Sequence, residues 1–256
     1  MKADQGGTYD QLEAALKAMP GHMGSTPKAV LVISGHWEER KFTVMSSPQP
    51  PMIYDYSGFP AHTYRISYPA PGWPLMAERV RQLIEDAGFP ALLDPQRGFD
   101  HGAFVPLSVI YPEANIPVLQ LSLRQGYDPS DHIAMGLAMQ PLRSEGVLIL
   151  ASGLSYHNIR EFGPRATLPS AAFDQWLQQT LVACTPEERI VRLVAWESAP
   201  GARQSHPQAD HLLPLMVAVG AAGSDPGTCV YHQSDFFDGI TVSSFMFGGV
   251  AGSPPP

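Results

Sequence analysis

Apolar and polar positions follow a few clear patterns along the chain. Ala29-Val30-Leu31-Val32-Ile33-Ser34-Gly35 is a continuous apolar run, the kind buried on both faces of a parallel sheet. Pro117–Ser122 and Gly146–Gly153 repeat the pattern and predict a second and a third buried strand. Leu12, Ala15, Leu16 and Met19 recur at helical spacing, which predicts an amphipathic helix over 9–19. Further helices are predicted over 75–87, closed by Gly88 and Pro90, and over 129–144, with Asp128 as cap. Three more are expected at 171–183, 187–195 and 212–221, before a strand-like pattern returns at 241–247. Residues 46–74 form a long excursion rich in Pro, Gly and Tyr. Apolar strands alternating with helices predict an α/β fold. The reading is a single domain over 1–256, with a central mostly parallel or mixed sheet and helices on both faces. Its ends, 1–8 and 249–256, are expected to be frayed.

Composition narrows the function classes. With 16 Lys+Arg against 24 Asp+Glu, the formal charge is −8, which argues against nucleic acid as a partner. No apolar run reaches the ~20 residues needed to span a bilayer, so no membrane association is expected. The N-terminus lacks the apolar stretch of a signal peptide, and a cytoplasmic protein is the expectation. The 2 Cys form no framework, whereas 9 His make imidazole the natural basis of any transition-metal site. The 23 Gly and 26 Pro predict long, stiff loops.

Several histidines stand in suggestive places. His36 follows the first apolar run, and His157 follows the third, after Leu154-Ser155-Tyr156. Ligands of open α/β sheets bind outside the carboxyl ends of strands. His101 sits in the polar turn Gly98-Phe99-Asp100-His101-Gly102, which opens an apolar helix. His206 and His211 lie in the run His206–Pro214 at the start of another. A single histidine beside an apolar strand is often structural; four in Gly- or Pro-marked turns are a better signal. His22, His62, His132 and His232 read as surface or packing residues. Asp100, Asp210 and Glu38 are the carboxylates nearest the histidines; they could orient imidazoles through the second ring nitrogen or simply be solvated. Dinucleotide, P-loop, zincin and nucleophile-elbow motifs do not occur.

Five ordered motifs carry a resemblance. They are Ser34-Gly35-His36-Trp37-Glu38, Tyr54-Asp55-Tyr56-Ser57-Gly58-Phe59-Pro60, Phe99-Asp100-His101-Gly102, Ser152–Asn158 and Asp210-His211-Leu212-Leu213-Pro214. Together they resemble the class III extradiol ring-cleaving dioxygenases, in the DOPA-dioxygenase-like branch. The similarity runs from about Tyr9 to Gly248. The resemblance implies a non-haem Fe(II) oxidoreductase that opens the ring of a small aromatic diol, a catechol, with O₂. Zn(II) is possible in the purified protein, and a homodimer is possible. By motif, the resemblance implies that His36 and His211 are metal ligands, His211 in preference to His206. It further implies that His157 is the catalytic acid/base, that His101 is a second acid or hydrogen-bond donor, and that Tyr54 and Tyr56 line an aromatic pocket. Arg65, Arg124 or Arg160 would face a substrate carboxylate.

One departure is expected to matter. The family opens on a short strand ending in a Ser-His-Gly-type turn, whose histidine is a third ligand. This sequence begins Met1-Lys2-Ala3-Asp4-Gln5-Gly6-Gly7 directly before the first helix, so that strand and ligand are expected to be absent. The competing reading is a non-catalytic or metal-deficient Memo-like binding protein on the same scaffold. Metal-assisted hydrolysis at a zinc site is a third, although it lacks an obvious Glu base.

Overall fold

The structure is a computed structural model and describes residues 7–248. Its strands are β1 (Ala29–Glu39), β2 (Phe42–Met45), β3 (Ala91–Asp94), β4 (Val118–Arg124), β5 (Val147–Ser152), β6 (Gly227–Phe236) and β7 (Ile240–Phe247). Its α-helices are α1 (Asp10–Met23), α2 (Pro74–Asp86), α3 (His101–Ile110), α4 (Pro129–Ala138), α5 (Gln140–Ser144), α6 (Thr167–Gln178), α7 (Pro186–Val194), α8 (Ala202–Ser205) and α9 (Leu213–Ala222). The fold is α/β on a mixed five-stranded sheet with helices around it, as the sequence pattern predicts. Residues 249–256 and 1–6 of the expected frayed ends lie outside the described residues; Gly7 and Thr8 form a turn into α1.

The chain divides into two compact units. The first comprises Thr26–Gly153 and Leu213–Ala221 and holds the five-stranded sheet, in the order β3-β2-β4-β1-β5. β1 runs parallel to β4 and β5, β2 parallel to β3, and β2 antiparallel to β4. Ala29 to Ile33 are fully buried, as are Val118, Leu119 and Leu121. Each such Leu or Ile contributes about 1.5–3 kcal/mol through burial. β5 departs from the expected fully buried strand: it lies at the sheet edge, and Leu148, Ile149, Ala151 and Ser152 are only half-buried. The helix predicted over 129–144 is broken at Met139, where α5 begins with Pro141 in its first turn. That proline cannot donate the backbone bond that would continue α4.

The second unit comprises the segment up to Ser25, Leu154–Leu212 and the segment from Ala222. Its β6–β7 hairpin is antiparallel. Tyr156, Ala166, Tyr231, Phe236, Ile240 and Val242 form a core, against which Tyr9, Leu12 and Ala15 of the α1 region pack. α1 runs on past the predicted end at Met19, through Pro20, to a left-handed Gly24 cap. The helix predicted over 171–183 starts earlier, at Thr167, and its last turn widens into a π-helix over Gln179–Ala183.

Candidate active site

In the first unit the site is built on a bulge. β1 does not end at Gly35; it runs to Glu39, and its register with β4 breaks between Ile33 and Glu38. Ile33 pairs with Leu121 and Glu38 with Leu123, so β1 carries extra residues there, His36 among them. Bulges re-aim side chains in this way. Beneath it, Asp100 is fully buried. Its Oδ1 accepts from Ser34 Oγ (2.8 Å) and, as the cap of α3, from Ala103 N (3.2 Å). Its Oδ2 accepts from Arg97 (2.6 Å) and from Gln120 Nε2 (2.8 Å). Ser34 Oγ in turn accepts from His36 N (3.2 Å). A buried charge is stable when paired and hydrogen-bonded in this manner. Asp100 thus holds the bulge and the start of α3 together without touching an imidazole.

The rings of His36 and His101 then meet, with centroids 3.9 Å apart. Gly102 permits this, because a Cβ there would lie 2.4 Å from Ser34 Oγ and 3.0 Å from His36 Cδ2. The long excursion is tied to the same place by backbone bonds from Ile53 N to Phe99 O and from Phe99 N to Pro51 O, both 2.8 Å. Gly98 allows that approach, since a Cβ would fall 1.9 Å from Pro51 O. The excursion delivers Asp55, which the sequence reading passes over although it stands inside a quoted motif. Asp55 Oδ1 accepts from His101 N (3.0 Å) and lies 2.9 Å from His101 Nδ1. Its Oδ2 lies 3.6 Å from His36 Nδ1. Burial pushes the Asp55 carboxyl up, but the His101 hydrogen bonds and charge outweigh it and bring it down to about 2.

Tyr56 stands edge-on to His101, ring centroids 5.5 Å apart, and Tyr54 packs on Phe104 at 6.1 Å. Both hydroxyls are committed to the excursion's own backbone: Tyr54 donates to Ile66 O and Tyr56 to Thr63 O, each at 2.7 Å. The Tyr56 ring, rather than its hydroxyl, faces His101, whereas the Tyr54 ring meets Tyr56, Tyr64 and Phe104. Of the candidate arginines, Arg124 pairs with Asp131 and lies over Phe42 and Phe89, while Arg65 and Arg160 are exposed. Glu38 accepts from the Tyr127 hydroxyl rather than orienting an imidazole.

The second unit holds the other two site histidines. His157 and His211 stack with ring centroids 3.3 Å apart and planes 11° apart. Asp210 Oδ2 lies 3.0 Å from His211 Nδ1. Burial raises the Asp210 carboxyl, but hydrogen bonds and charge from His211, with charge from His157, lower it below its ordinary value. The two segments are stitched by His157 N to Ser205 O (2.9 Å), Asn158 Nδ2 to Gln204 O (2.9 Å) and His206 Nε2 with Ser155 O (3.0 Å). His206 is fully buried, which pushes its imidazole down to about 4 and keeps it neutral. It supports the loop that carries His157. Among the described residues, two groups could therefore hold a metal ion: His36, Asp55 and His101, and His157, Asp210 and His211.

Comparison with known proteins gives this chemistry a class. The family described as "Catalytic LigB subunit of aromatic ring-opening dioxygenase" matches residues 2–248, and the chain belongs to it. Its members are generally metal-dependent, and the class is that of extradiol ring-opening oxidoreductases. The chain is 42% identical over 228 residues to "4,5-DOPA dioxygenase extradiol" of Beta vulgaris, covering 86% of this chain and 83% of that one. It is 37% identical over 208 residues to the Escherichia coli protein of the same name, covering 79% and 76%. A crystal structure of an uncharacterized Escherichia coli K12 protein superposes with a TM-score of 0.75 at 28% identity, covering 96% of this chain and 93% of that one.

Proposed function

We propose that the protein is a non-haem Fe(II)-dependent extradiol dioxygenase that opens the ring of a catechol-type substrate with O₂. The observation that carries the reading is the pairing of four motif histidines with two carboxylates, on a chain that belongs to the ring-opening family. The donor chemistry fits a divalent transition metal. The Asp210 carboxylate beside His211 Nδ1 would favour the tautomer whose Nε2 carries the lone pair. In this reading His36 and His211 are the metal ligands. The iron would supply the electron transfer between diol and O₂ that acid/base side chains cannot provide. Zinc has no redox chemistry, so a zinc-filled protein is expected to be inactive.

The chain's own residues do the remainder. His157 takes a proton from the catechol hydroxyl, a task suited to an imidazole near neutral pH. His101, held by Asp55, offers its other ring nitrogen to the substrate. Tyr56 and Tyr54 supply aromatic wall. DOPA, which stands in the relatives' names, is the first candidate to try in a panel of catechols bearing a small substituent.

The test is oxygen uptake together with a yellow ring-fission product from the Fe(II)-loaded chain on that panel. Turnover with iron and none with zinc supports the reading. No oxygen uptake on any catechol by protein of full iron content overturns it.

A further inference from the structure

We infer that Asp55 is a positioning residue, whose carboxylate sets the orientation and tautomer of His101. The inference rests on the proposed dioxygenase reading for its effect on turnover, although not for its geometry.

One oxygen, Oδ1, engages both the backbone N–H and the ring Nδ1 of His101. Two attachments from one atom fix the ring relative to the first turn of α3, because the backbone bond locates the residue and the ring bond selects its rotamer. The carboxylate lies at the N-terminal end of that helix, where negative charge is favoured. The other oxygen, Oδ2, faces His36 Nδ1 at 3.6 Å. A carboxylate can only accept, so His101 is favoured in the Nδ1–H tautomer and presents a basic Nε2. The contact with His101 also fixes where the excursion ends, so Tyr56 keeps its edge-on place against that ring. A contact that only anchored the loop would need the backbone bond alone. The ring bond to His101 is what assigns the further role.

The experiment uses the zinc-loaded full-length chain, labelled with ¹⁵N-histidine, as wild type, Asp55→Ala and Asp55→Asn. Long-range ¹H–¹⁵N correlation spectra report each ring's tautomer, with His101→Gln and His36→Gln used for assignment. The wild type is expected to show Nδ1–H at His101. Asp55→Ala is expected to shift His101 toward Nε2–H, and Asp55→Asn to retain the wild-type pattern through its amide oxygen. In the iron-loaded enzyme, Asp55→Ala is expected to lower kcat about 10–100-fold with a smaller change in KM, and Asp55→Asn to recover most of the loss. An unchanged His101 tautomer in folded Asp55→Ala overturns the inference, as does an Asp55→Ala enzyme with wild-type kcat. If Asp55→Ala does not fold, an Asp55→Asn spectrum without the Nδ1–H pattern overturns it instead. The tautomer readout needs no turnover, so failure of the dioxygenase assay leaves it standing. Altered tautomers in a protein inactive toward every catechol would sink the functional reading alone.

Discussion

Ser34 Oγ donates to Asp100 Oδ1 at 2.8 Å, across 66 residues of sequence and out of contact with solvent. The bond joins the bulge that carries His36 to the cap of the helix that begins with His101. The same carboxylate balances the buried side of Arg97, whose guanidinium lies over Trp37 at 4.7 Å. The hub therefore links strand, helix and loop under two of the site histidines.

Removing that hub should be costly. Asp100→Ala leaves Arg97 without its carboxylate and Ser34 and Gln120 without their acceptor. A loss of about 3–5 kcal/mol is expected, as for a broken buried ion pair. Urea unfolding checks this; a loss below about 1 kcal/mol, the level of an exposed pair, would contradict the assignment.

Gly102 should tolerate no side chain. Gly102→Ala drives a methyl against Ser34 Oγ and the His36 ring, so metal content and turnover should fall more than stability does. Ser34→Ala removes the tighter of the two contacts. The double variant should therefore lose less than the sum of the single changes, a coupling on the order of 1 kcal/mol in a double-mutant cycle. Strict additivity would show that the two sites do not touch in solution.

The site histidines should separate by role. His36→Ala and His211→Ala should lower bound metal, as measured by elemental analysis. His157→Ala should abolish turnover with metal content near wild type, because its assigned work is proton transfer. Loss of metal in the His157 variant would contradict that assignment.

Acid should destabilise the fold through two other histidines. His132 is fully buried, and its ring is satisfied only when neutral: Nδ1 meets Asp128 O at 2.7 Å and Nε2 accepts from Arg124 N at 3.1 Å. Burial pushes His132 and His206 each down to about 4. Unfolded histidine titrates near ~6.5, so between these values the unfolded chain binds the extra protons. The stabilising effect is full above pH ~6.5 and is lost as pH falls toward 4, on the order of 3 kcal/mol per histidine. Asp55 acts in a lower window, because its carboxyl is held at about 2 and costs stability only as pH falls below ~4. Unfolding free energy measured from pH 7.5 to 4.5 checks this, and His132→Gln should flatten the slope. An unchanged slope would show that His132 does not stay neutral in the folded chain.

What the sequence revealed depended on the range of the interaction. Buried strands such as Ala29–Ile33 announce themselves, because a strand covered on both faces needs apolar residues at every position. Capped helices are similarly local: Thr185 and Glu188 form a capping box at the start of α7. Short β2 and the more polar β6 carry no such pattern, and their pairing partners decide them. His132 read as ordinary because nothing in its neighbourhood along the chain predicts a fully buried ring.

The sequence by itself determined the α/β class and the family, and it singled out four candidate histidines, His36, His101, His157 and His211, because each rests on short contiguous patterns. Only the tertiary structure decided how they are held. The β1 bulge is visible only against the register of β4. Asp100 rather than Asp55 looked like the histidine's partner, since it is adjacent to His101 in sequence. In the fold Asp100 turns inward to Ser34 and Arg97, and Asp55 arrives from 46 residues away to take the His101 ring. A hydrogen bond depends on distance in space, and here that distance is set by the backbone closure at Pro51 and Phe99, which no local pattern records.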